Sequence, residues 1–108
     1  MGTIRWDSGA SGKNRGSGAA TVIGTFYKSG NTTTNASSAT VIDDGAAGAG
    51  SDITFPVGFV VNMTCDELCR VVLGGGTATA TLGYLLQPNV ARNFEITVAG
   101  TISAFDEA

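Results

Sequence analysis

The sequence predicts an all-β domain, a small β-sandwich or jelly-roll-like barrel carrying an extended N-terminal arm. Runs of β-branched and aromatic residues recur between turn clusters at spacings of about 8 to 14 residues. No useful length of chain shows the 3.6-residue periodicity of an amphipathic helix. A chain of 108 residues has room for one hydrophobic core. Gly, Ala, Thr and Ser fill 52 of those positions, yet the hydrophobic fraction is 43%, which leaves enough Val, Ile, Leu and Phe to build that core.

The elements follow in order. Residues 1–18 (MGTIRWDSGASGKNRGSG) hold only Ile4 and Trp6 as bulky apolar side chains. Such a stretch builds no core of its own and reads as a Gly/Ser-rich arm. Trp6, the only tryptophan, either folds back over its own domain or, with Ile4, anchors the arm in a neighbouring subunit. Residues 19–108 form the body. Residues 19–28 (AATVIGTFYK) read as a strand closed by Ser29-Gly30-Asn31, and residues 39–43 (ATVID) as a second, broken by DGAAGAGS. Residues 52–55 lead into Pro56; 57–64 (VGFVVNMT) and 68–73 (LCRVVL) are further strands, the latter stopped by three glycines. In 77–86 (TATATLGYLL) strict alternation sets threonines on one face and alanines on the other. Residues 93–105 (NFEITVAGTISAF) alternate until Gly100 shifts or bulges the run.

Charge bounds the partners. The net charge is −3 and only 14% of residues are charged, so general nucleic-acid binding, which needs clustered Lys and Arg, is not expected. Four cations (Arg5, Lys13, Arg15, Lys28) face one carboxylate in residues 1–30, whereas eight carboxylates face Arg70 and Arg92 from residue 43 onward. A basic head on an acidic body either scatters over a solvated surface or docks the head on an acidic neighbour. No apolar run suits a signal peptide or a membrane span, so synthesis in a cytoplasm with no membrane association is expected. Three Asn-X-Ser/Thr sequons are attributed to the abundance of Ser and Thr.

Catalytic chemistry finds little footing. With no histidine, the commonest acid/base group is missing, and the many serines lack an obvious activating base. Asp66 and Glu67 are adjacent, hence on opposite faces of a strand. Gly9-Ala-Ser-Gly12-Lys13-Asn14 misses the phosphate-loop spacing and its Ser/Thr; Asp43-Asp44-Gly45 with Asp52 misses the calcium-loop pattern and reads as an Asp-Gly turn. No cofactor is expected. Cys65 and Cys69 would share a face of a helical turn, for which Thr64 and Glu67 have capping-box spacing, or face each other across a three-residue loop. Zinc wants four ligands, which leaves a semi-buried thiol pair or a disulfide formed after release from the cell.

A weakly charged, Gly/Ala/Thr-rich chain with an Ile4/Trp6 arm, a β body and the ending Phe105-Asp106-Glu107-Ala108 resembles the small capsid decoration (cement) proteins of tailed bacteriophages. The resemblance is one of composition and layout along the whole chain, and Cys65-Asp-Glu-Leu-Cys69 has no counterpart in it. It implies a non-enzymatic virion protein, commonly trimeric, that binds across major capsid protein subunits and stabilises the shell. Ile4, Arg5, Trp6, Lys13 and Arg15 are then the expected scaffold contacts, Trp and Arg being frequent hot-spot types. Two alternatives remain: a self-assembling fibre, pilus-like or tail-associated subunit whose arm adds a strand to its neighbour, and a carbohydrate-binding sandwich using Trp6, Tyr27 and Tyr84.

Overall fold

A computed structural model describes residues 2–11, 23–35, 37–43 and 52–106. They form two four-stranded antiparallel sheets, with no helix among the described residues. Strands β1 (Thr3–Ser11), β2 (Ile23–Thr33), β4 (Phe59–Cys65) and β7 (Arg92–Glu95) make the first sheet in the order β2-β1-β4-β7. Strands β3 (Thr40–Val41), β5 (Cys69–Val72), β6 (Tyr84–Leu86) and β8 (Ser103–Asp106) make the second in the order β3-β8-β5-β6. After the β1–β2 hairpin the chain passes repeatedly between the sheets, so most strands are paired with segments distant in sequence.

Period-two burial explains which face each strand turns inward. Ile4, Trp6 and Ser8 of β1 are buried while Arg5 and Asp7 are exposed. On β4, Val61, Met63 and Cys65 share the inward parity, as do Cys69 and Val71 on β5. These side chains meet Leu86, Phe94 and Ala104, and connecting segments add Ile42, Ile53, Phe55, Ile96 and Ile102 to the same cluster. Each fully buried Ile, Val or Leu contributes roughly 1.5 to 3 kcal/mol.

The N-terminal arm is corrected here. Residues 3–11 are an interior strand, paired on one side with β2 from Thr3↔Thr33 to Ser11↔Ile23 and on the other with β4 from Ile4↔Cys65 to Ala10↔Phe59. The segment lacks a core of its own because it completes the one between the sheets. The division at residue 18 therefore does not hold for residues 3–11, which belong to the sandwich-like body; residues 12–18 lie outside the described residues.

Other boundaries differ for local reasons. The β1–β2 register slips between Asp7 and Gly9, and the Ser8 hydroxyl spans the slip by donating to the Lys28 carbonyl at 2.8 Å and accepting from the Lys28 amide at 3.2 Å. A bulge of this kind re-aims side chains: Phe26 is 65% exposed, while Tyr27 packs edge-on against Phe59 with centroids 4.8 Å apart. Residues 77–81 are not a strand despite their alternation. The Thr79 hydroxyl accepts the Leu82 amide at 3.0 Å, a local bond that curls the chain in place of a ladder. Gly100 does more than bulge a single strand. It lies between β7 and β8, where the chain changes sheets, at φ 157°, and a Cβ there would stand 2.6 Å from the Gly75 nitrogen.

Candidate interaction surface

The structure separates the five residues expected to contact a scaffold. Ile4 (0% exposed) and Trp6 (3%) are core side chains, so they are corrected as contact residues. The Trp6 indole stands edge-on to Phe55 with centroids 5.3 Å apart and donates through Nε1 to the Asp43 carbonyl at 3.2 Å. Arg5 points outward from β1. Lys13 and Arg15 fall outside the described residues.

Arg5 belongs to an ordered polar face. The strand registers align Asn31, Arg5 and Thr64 in one row across β2, β1 and β4, and Ser29, Asp7, Asn62 and Asn93 in the next. The Asn62 amide donates to Asn93 Oδ1 at 2.7 Å. Arg5, Asp7, Asn31, Asn62 and Thr64 line a shallow concavity of about 590 Å³, with Phe26 at its rim. This surface offers a grid of donors and acceptors beside one exposed ring, a combination suited to a polar protein surface with an apolar anchor.

Beside that face runs the margin of the sheet. β2 is 11 residues long, and among the described strands only β1 pairs with it. An edge of this length presents backbone donors and acceptors to any chain that pairs with it. Its midpoint is Lys28, whose Nζ lies 5.6 Å from the Tyr27 ring centroid. The opposite margin, β7, has four residues.

A second concavity, about 440 Å³, is more apolar and lies by β5 and β6, with Leu82, Tyr84 and Val98 exposed around it. The Arg92 guanidinium sits 5.2 Å from both the Tyr84 and Phe94 ring centroids, which orients Tyr84 at its border.

Cys65 and Cys69 are brought together. They are fully buried free thiols with Sγ atoms 2.8 Å apart, placed at the end of β4 and the start of β5, on different sheets. The intervening residues are a bend with no helical turn. The hydrogen bond the two thiols share lowers the Cys65 pKa and, reinforced by burial, pushes the Cys69 pKa strongly up. Polar groups lie beside the pair, among them Gly2 and Thr34, which the sequence did not single out. The Gly2 amide donates to Thr34 Oγ1 at 2.9 Å and to Asp106 Oδ2 at 3.1 Å, and the Thr3 amide donates to Asp66 Oδ1 at 2.8 Å. A hydrogen bond with Asp106 raises the Glu67 pKa. Among the described residues no group of three or more Cys, Asp or Glu side chains is placed to hold a metal ion.

No protein-family model, curated protein or solved structure matches this chain.

Proposed function

We propose that this chain is a non-enzymatic structural subunit that attaches to a larger protein assembly through the β2 edge and the polar outer face of the first sheet. Decoration of a tailed-phage capsid, across major capsid subunits, is the setting that its composition favours, which would make the virion its location. The observation that carries the proposal is β2 itself: 11 residues at a sheet margin with no described strand on its far side, next to the exposed Phe26 ring.

Lys28 argues for a different chain as the partner. Antiparallel pairing of two β2 strands about their common midpoint would set Lys28 opposite Lys28, and like charges directly opposite destabilise a strand pair. An open fibre made by joining β2 of one copy to β7 of the next would match 11 residues with four. A trimer is better served by the Leu82, Tyr84 and Val98 patch, whose concavity shares no lining residue with the polar one. The absence of histidine from the sequence supports the non-enzymatic part of the proposal.

The test is cosedimentation of the purified chain with expanded capsid shells that lack it, comparing Phe26→Asp and Asn31→Asp with the parent. Both side chains are exposed, so the variants should fold normally while binding weakens about 10-fold or more, the scale of a single interface anchor. Failure of the parent chain to bind the shells, or unchanged binding by both folded variants, would overturn the proposal.

A further inference from the structure

We propose that Cys65 and Cys69 are a disulfide-forming site that covalently joins β4 of the first sheet to β5 of the second. The two cysteines occupy the corner at which the chain leaves one sheet for the other. Their sulfurs, 2.8 Å apart, are within about 0.8 Å of the covalent S–S length. A buried cysteine that serves only as a small apolar group is surrounded by apolar neighbours. This pair belongs to the apolar cluster on its inner side but also meets polar groups: Cys69 is opposite Asp106 in the β5–β8 ladder, and both Asp106 and Thr34 accept from the amide of Gly2, the residue that lies against Cys65 Sγ.

Gly2 also covers the site. A Cβ at this position would stand 3.1 Å from Cys65 Sγ and 2.9 Å from Asp66 Oδ1, so glycine allows the start of β1 to lie against the sulfur. Both thiols are fully buried. An oxidant reaches them when the Gly2 and Thr3 amides release Thr34, Asp106 and Asp66, or during folding before β1 docks.

The oxidant is a low-molecular-weight disulfide, RSSR, of the glutathione class. Cys65, the more acidic of the two, attacks as its thiolate. It forms a mixed disulfide, breaks the RS–SR bond and releases RS⁻, which takes up the proton that Cys65 lost. Cys69 then gives up its proton, and its thiolate attacks Cys65 Sγ and expels the second RS⁻, which that proton converts to RSH. Two cysteine thiols are oxidised to one disulfide, and one RSSR is reduced to two RSH. In an unfolded chain the same step must close a loop of five residues. The native fold has already brought the ends together, which favours the disulfide roughly 30-fold over the unfolded chain on a chain-entropy basis.

The test equilibrates the full chain in graded glutathione buffers, with and without denaturing urea. The samples are then quenched in acid, alkylated under denaturing conditions and weighed intact. An internal disulfide without glutathione adducts is expected, its equilibrium constant about 30-fold larger in native buffer than in urea. A ratio of one or less, or oxidation that gives mainly doubly glutathionylated chains or disulfide-linked dimers, would overturn the proposal. As a second readout, the oxidant should raise the unfolding midpoint of the parent chain and leave that of Cys65→Ser/Cys69→Ser unchanged. An unchanged or lowered parent midpoint would also refute it.

Discussion

Replacing Trp6 with alanine tests whether the N-terminal segment belongs to the body or is a detachable leader. Trp6 is 3% exposed, stands edge-on to Phe55 at 5.3 Å and satisfies the Asp43 carbonyl through its indole N–H. Truncation removes nearly the whole ring from the core, for which buried Trp→Ala changes cost about 3 to 5 kcal/mol. The carbonyl left without its donor accounts for a further 1 kcal/mol or so within or beyond that range. With a urea m-value of about 2 kcal/mol/M, a loss near 4 kcal/mol moves the midpoint down by about 2 M, and a domain with only 5 to 15 kcal/mol of stability would be left marginal. Trp6→Phe keeps a ring and removes the N–H, so it should fall by about 1 to 2 kcal/mol. Because Trp6 is the only tryptophan, far-UV circular dichroism must follow all three chains. A Trp6→Ala midpoint within about 0.3 M of the parent, equivalent to under 1 kcal/mol, would show that β1 contributes little to the core and refute its placement between β2 and β4.

Two further predictions concern pH and backbone. The Glu67 pKa is raised in the folded chain, chiefly by its hydrogen bond with Asp106, so the folded state holds this proton more tightly than the unfolded state. Its contribution to stability is fully present below the unfolded pKa and is lost as pH rises through the folded one. Glu67→Gln should therefore be more stable than the parent at pH 7, with the difference shrinking as pH falls toward the ordinary glutamate range; a difference independent of pH in parallel urea titrations would refute the linkage. At Gly100 a methyl group would meet the Gly75 backbone at a φ that side chains rarely adopt. Gly100→Ala should cost about 2 kcal/mol, and an unchanged thermal midpoint would refute that strain.

Local patterning along the chain is enough to set the class of fold and the inward faces of several strands. Alternation of Ile4-Arg5-Trp6-Asp7 or Val61-Asn62-Met63-Thr64 is a local statement about which side chains avoid water, and it survives in the structure at both places. It also carried the proximity of Cys65 and Cys69, since residues four apart are within reach of each other across a tight turn. Local pattern did not say whose core Ile4 and Trp6 fill. A strand with one apolar face docks equally well, as a sequence, on its own domain or on a neighbour. The choice was made by β2 and β4, whose hydrogen-bonding margins and apolar faces enclose β1 on both sides. The same distinction explains residues 77–81, where the Thr79 hydroxyl captured a backbone amide that alternation alone would have assigned to a ladder. The neighbours of the thiol pair were invisible for the same reason: Gly2, Thr34 and Asp106 are 32 to 104 residues apart and meet only because the sheets close over them. Burial preference is written residue by residue along the chain, whereas pairing is decided by the free energy of the packed whole.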